Sequence, residues 1–206
     1  MAYRPEHVQL ARQQIAKRDK VMRGVLATVG PFTLKTERNY FQTLVRSIVS
    51  QQISTAAART ILQRLSDHLE PDTISPLSMA KLDHDTLRFL GLSGQKANYA
   101  IDLTERVASG SLNLKTINRR ADDRVIEELT QVKGIGVWTA HMFMIFALGR
   151  PDVLPVGDYG IRTAIQRQYG LSELPKPTEV ETIARPWRPY ASIASWYLWR
   201  SLEAKT

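Results

Sequence analysis

The stretch Val132-Lys133-Gly134-Ile135-Gly136 carries the densest chemistry in the sequence. A helical pattern ends near Gln131 and another begins straight after Gly136, so two glycines spaced by one apolar residue form the turn between them. Glycine admits the backbone angles of a tight turn and leaves the N–H groups at the second helix's start unobstructed. Those donors, with the helix dipole behind them, suit one phosphate. Ile135 is expected to plug the turn into the core. Lys133, and Lys96 in LSGQKANYA, are candidate phosphate contacts, although a solvated face is the commoner fate of such lysines. A dinucleotide-binding loop is excluded, because a third glycine is missing and no strand precedes the turn. Taken alone, the motif is equally a plain connection between two helices. Its sequel favours the functional reading: the loop Pro155–Tyr159 contains Asp158, twenty residues after Trp138. An aspartate ahead of a helix starting at Tyr159 or Gly160 is also a favoured N-cap. The two roles are compatible, since a helix N-terminus favours a charged carboxylate, and Arg162 could pair with it at i,i+4. The four histidines show no metal-ligand spacing, and His141 reads as structural.

The elements that must position these residues are helical almost throughout. Residues 6–29 carry Val8, Leu10, Ile15, Val21, Val25 and Leu26, and Gly30-Pro31 ends the run. Residues 38–52 place Phe41, Leu44, Val45, Ile48 and Val49 on one face. Ser54 caps the next helix, which stops before Pro71, and Ser75-Pro76 and Asp83 start two short ones. Further helices are expected over about 95–109, 122–131, 137–148, 158–168, 178–184 and 189–203. Alternating β-branched runs bounded by hairpin turns are missing. The expected fold is all-α, with roughly ten helices in two helical lobes flanking a cleft. Residues 1–206 are expected to form a single unit of two intertwined lobes, with no separate N-terminal β domain.

Composition bounds the partners. With no cysteine among 206 residues, disulfides, thiolate zinc sites and cysteine-held iron–sulfur clusters are excluded. No stretch approaches the roughly 20 apolar residues that span a bilayer, and the first residues lack the apolar segment of a secretory signal. The simplest address is the cytoplasm. A net charge of +8 suits a polyanion, although solubility alone also explains such a surplus.

With the hairpin, the loop and FQTLVRSIVSQQIS in order and at matching spacing, the chain resembles the helix-hairpin-helix glycosylases, the HhH-GPD superfamily. Within it the likeness is to 3-methyladenine DNA glycosylase II and the yeast-type alkyladenine glycosylases, over about residues 38–200. The resemblance implies double-stranded DNA with a damaged base as the partner, a monomer, and a nucleoid or nuclear location according to the source. It puts Asp158 on the catalytic aspartate, and Trp138 and Trp196 on aromatic walls of the base pocket. Met142 stands where that pocket would carry a second aromatic. Gln52, beside Gln51, falls where the family inserts a wedge into the DNA stack, and Gly134, Gly136 and Thr139 join the DNA-facing hairpin. The backbone carbonyls of Thr130, Val132 and Gly134 match a site for a monovalent cation, Na+ or K+; no other cofactor is implied.

That resemblance implies a definite chemistry. A base stacked in a duplex must be extruded before it can be cut, at a cost of a few kcal/mol. Alkylation at purine N3 or N7 leaves it cationic and weakly bonded, so an indole face can hold it by cation–π attraction, worth about 2 kcal/mol when desolvated. An ionised aspartate would stabilise the oxocarbenium-like sugar. Bifunctional relatives such as endonuclease III carry a lysine where this chain has Trp138, and an indole cannot form their Schiff base. The expected activity is therefore hydrolytic excision without strand cleavage. Deaminated or etheno bases, or DNA binding without catalysis, are the alternatives; plain core packing is the alternative for both tryptophans, and a solvated helix end for the glutamine pair. A helix-turn-helix regulator is rejected, because the helix after Gly136 is too apolar to lie in a groove.

Overall fold

The computed structural model describes residues 3–203, which contain twelve α-helices and no strand. They are α1 (Pro5–Arg18), α2 (Lys20–Val29), α3 (Tyr40–Ser50), α4 (Thr55–Leu69), α5 (Pro76–Met79), α6 (His84–Phe89), α7 (Gly94–Ala108), α8 (Asp122–Thr130), α9 (Val137–Phe143), α10 (Tyr159–Tyr169), α11 (Pro177–Ala184) and α12 (Ala191–Glu203). The all-α expectation holds. Two compact units divide the chain: one takes the segment up to Thr36 together with Met144 onward, and the other spans Glu37–Phe143.

The first unit corrects one expected helix. Residues 6–29 break at Asp19, whose backbone is extended (φ −137°) and whose Oδ1 accepts from the Met22 N–H. Aspartate is a favoured N-cap, so the break follows from a residue visible in the sequence. Its Oδ2 accepts from Tyr169 Oη at 2.5 Å and Trp187 Nε1 at 2.9 Å, which satisfies a carboxylate that is only 8% exposed. Burial, and then the hydrogen bond to Asp19, push the Tyr169 phenol well above its ordinary value, so it remains a donor. Around this knot Ile15, Met22, Ile165, Trp187 and Tyr197 form the core. Residues 144–148 continue α9 as a π-helical turn, and Tyr3 donates to the carbonyls of Ile145 and Arg150.

In the second unit α3 buries the five residues its periodicity indicates: Phe41, Leu44, Val45, Ile48 and Val49. Most of these are β-branched or aromatic and are mediocre helix formers. Burial worth roughly 1.5–3 kcal/mol apiece, before the entropy cost, is therefore what holds the helix. It packs on α4, α7 and α9. Asn39 caps its start through the Gln42 N–H. Its C-terminal end is the first part of the candidate site.

Candidate nucleic-acid interface

The hairpin follows α8 and is braced by α7 and by the end of α3. Ile135 is 3% exposed and plugs the turn inward as expected. Its N–H donates to the Val132 carbonyl at 3.1 Å, and the Lys133 N–H donates to Asp102 Oδ2 at 3.0 Å. Arg106 Nε braces the same carboxylate oxygen at 2.9 Å. The two glycines turn out to have different duties. Gly134 has φ +80°, and a Cβ there would lie 2.0 Å from Tyr99 Cδ2, so both backbone and packing require glycine. Gly136 needs no positive φ, and a Cβ would meet no heavy atom within 4 Å. Its lack of a side chain leaves the start of α9 open to solvent. Thr139, expected to face DNA, is 5% exposed and so lies in the interior. Lys133 is exposed.

Gln51 and Gln52 end α3, and the structure separates their roles. Gln51 Nε2 donates to the Gly134 carbonyl at 2.8 Å, tying the two turns together. Gln52 is exposed and has φ +56°, which is uncommon outside glycine. Lys96 is corrected from a phosphate contact to a helix cap. Its Nζ donates to the Val49 carbonyl at 2.7 Å and the Gln51 carbonyl at 2.5 Å. The reason is general: the last carbonyls of a helix lack intrahelical donors, and a cation there also answers the helix dipole. Two of the carbonyls expected to hold a cation are already acceptors, Val132 from Ile135 and Gly134 from Gln51. Each keeps a second lone pair.

These turns border a cavity of about 630 Å³ whose lining includes Trp138, Met142, Tyr99, Gly134, Gln51 and Gln52. Trp138 and Met142 are one turn apart on α9 and share its face, and Trp138 is 51% exposed. Tyr99 is a second aromatic in this lining. It sits beside the GQKA motif, but only the bulk contact with Gly134 reveals its place. On the same helix as Trp138, partial burial lowers the affinity of His141 for its proton.

Asp158 belongs to the other unit. It is 9% exposed and caps α10. Its Oδ1 accepts from the Ile161 N–H at 2.8 Å and from Trp199 Nε1 at 2.8 Å. Trp199, missed in the sequence, stacks on Phe146 with centroids 5.6 Å apart. Gly160 makes room, since a Cβ there would lie 3.1 Å from both Asp158 Oδ1 and Trp199 Cδ1. Trp196, expected as a pocket wall, is instead a core side chain, 7% exposed against Phe32 at 4.7 Å and Tyr197 at 4.9 Å. Arg162 Nε donates to the Pro175 carbonyl at 2.7 Å rather than to Asp158.

An all-α scaffold carrying a glycine-turn hairpin, with a helix-capping aspartate after it, defines the helix-hairpin-helix class. The chain belongs to the HhH-GPD superfamily of base excision DNA repair proteins, whose family model matches residues 45–189. It is 33% identical over 176 residues to a putative DNA-3-methyladenine glycosylase (YfjP) of Bacillus subtilis, covering 82% of this chain and 61% of that one. The alkylbase DNA glycosidase-like protein mag2 of Schizosaccharomyces pombe is 30% identical, with 92% of both chains covered. The 3-methyladenine DNA glycosylase Mag1 of Schizosaccharomyces pombe, solved in complex with abasic DNA, superposes with a TM-score of 0.85. It is 27% identical, and the match covers 94% of this chain and 96% of that one.

Proposed function

We propose that the protein is a monofunctional DNA glycosylase of base excision repair, extruding and hydrolytically excising alkylated bases of the 3-methyladenine and 7-methylguanine type from double-stranded DNA. The observation that carries this reading is Asp158, a buried carboxylate fixed by two N–H donors on one oxygen. A carboxylate oriented before the reaction starts can stabilise positive charge growing on the sugar, with no reorganisation during the reaction. Trp138 offers an exposed indole for a cationic base; the attraction grows from about 0.5–1 kcal/mol at an exposed site to about 2 when the bound base excludes water. Because position 138 has no amine, water completes the reaction and the strand stays intact. The open start of α9 and Lys133 take backbone phosphate. A sodium or potassium ion on the carbonyls of Thr130, Val132 and Gly134 would add positive charge beside that phosphate. No helix among the described residues is long and apolar enough to cross a membrane; the enzyme acts as a monomer wherever the chromosome is held.

The test is a release assay on methylated duplex with parent and Asp158→Asn. Asparagine caps helices as well as aspartate does, and its carbonyl can accept from the same Ile161 and Trp199 donors, so the substitution removes the charge and keeps those two contacts. Base release should fall at least about 100-fold, with duplex affinity retained. Release at the parent rate would remove Asp158 from the mechanism, and efficient borohydride trapping of a covalent adduct would overturn the monofunctional reading.

A further inference from the structure

Lys96 stands out as a cation that the proposed chemistry leaves unused. It lies on α7, with its ammonium turned onto the end of α3. We propose that Lys96 is a positioning residue for base extrusion: by gripping the carbonyls of Val49 and Gln51 it fixes the peptide plane ahead of Gln52 and presents that side chain as a wedge. The inference rests on the reading of Gln52 as the wedge.

The argument begins with the backbone. The Gln51 carbonyl belongs to the peptide joining Gln51 to Gln52, and the tilt of that plane is set by ψ of Gln51 and φ of Gln52. Gln52 has φ +56°, a conformation that a glutamine leaves unless its surroundings over-determine it. Lys96 Nζ, 2.5 Å from that carbonyl oxygen, is the group that pins the plane. A second contact, 2.7 Å to Val49 O, stops the ammonium from swinging away. Partial burial of the amine lowers its hold on its proton.

The same helix also sets the hairpin. Tyr99 packs against Gly134, and Asp102 accepts from the Lys133 N–H. Lys96, Tyr99 and Asp102 recur every three residues and so share one face of α7. Gln51 closes the circuit by donating to Gly134 O at 2.8 Å. One rigid helix face therefore holds the wedge turn in register with the hairpin.

The test uses the full-length protein and a duplex holding a tetrahydrofuran abasic analogue flanked by 2-aminopurine, whose fluorescence rises when a side chain displaces it from the stack. In Lys96→Met the equilibrium constant for the unstacked complex should fall about tenfold, equivalent to about 1.4 kcal/mol. Affinity for undamaged duplex should change less than twofold. Lys96→Arg, which retains the donors, should keep most of the signal. Gln52→Asn in the Lys96→Met background should recover part of it, because asparagine enters the left-handed region more readily. A parental rise in Lys96→Met while Gln52→Ala abolishes it refutes the proposal and leaves the wedge reading standing. A parental rise in Gln52→Ala refutes the wedge reading itself. Loss in Lys96→Met without recovery by Gln52→Asn also refutes the proposal, since the effect then bypasses the backbone at position 52. Should Lys96→Met fail to fold, Lys96→Leu, which also removes the amine, is read by the same criteria.

Discussion

Replacing Gly134 by alanine should be one of the most damaging single-methyl additions in the protein. Two independent terms contribute. With φ at +80° an alanine sits in the left-handed region, at a cost of about 1–2 kcal/mol. Its Cβ would also lie 2.0 Å from Tyr99 Cδ2 and 2.3 Å from Cε2, so the ring must move. Forced overpacking of this kind costs about 1–3 kcal/mol. Restricting the unfolded chain gives back about 0.4–1 kcal/mol, which leaves a net loss of roughly 1–4.5 kcal/mol on these magnitudes. Urea unfolding followed by tryptophan fluorescence measures it. In a Tyr99→Ala background the clash is gone, and the cost of Gly134→Ala should shrink to the backbone term, giving a coupling of about 1–3 kcal/mol. The neighbouring control is Gly136→Ala, where a Cβ has nothing within 4 Å; its stability should change by less than about 0.5 kcal/mol while duplex affinity falls. Equal costs of Gly134→Ala in both backgrounds would refute the packing argument.

Three further outcomes follow, two from the other unit and one from α9. Trp199→Phe removes a donor to Asp158, and base release should fall roughly tenfold or more, as expected for a hydrogen bond to a charged group. Trp196→Phe should instead lower stability by roughly 1–2 kcal/mol with release near the parent value, as a core truncation does; the opposite pattern would reverse the assignment of the two indoles. Burial lowers the proton affinity of His141 in the folded protein. The unfolded chain therefore binds that proton first, and stability contributed there is present above about pH 6.5 and declines as pH falls below it. His141→Gln should flatten the acid side of the profile between pH 7 and 5, as read by thermal melting; an unchanged slope would mean that the histidine is not the titrating group.

Much of this architecture was legible because it is local. The apolar stripe of α3, the capping serine before α4, the glycine turn and the aspartate before α10 are each written within a few consecutive residues. Asp19 was legible in the same way and was passed over, because the apolar pattern runs through it on both sides. The two indoles show where local reading ends. Residues 191–198 of α12 are all buried, so no polar stripe marks the face that looks toward Asp158, and Trp196 and Trp199 could not be told apart by phase. Only the hydrogen bond from Trp199 Nε1 distinguishes them.

Lys96 departs from its expected role for a related reason. A lysine near a glycine-rich turn, in a chain of net charge +8, is ordinarily a surface cation, and the sequence holds no sign that the end of α3 lies within reach. The need for a donor at that helix end was nevertheless predictable, since the last carbonyls of any helix require partners. What the fold adds is the supplier. Placing it on α7, one face of which also carries Tyr99 and Asp102, means that the wedge turn at Gln51–Gln52 and the hairpin at 132–136, far apart in sequence, are both held by residues of a third helix. Substitutions on that face of α7 should therefore alter how the wedge and hairpin act together, even though none of its three residues need touch a base.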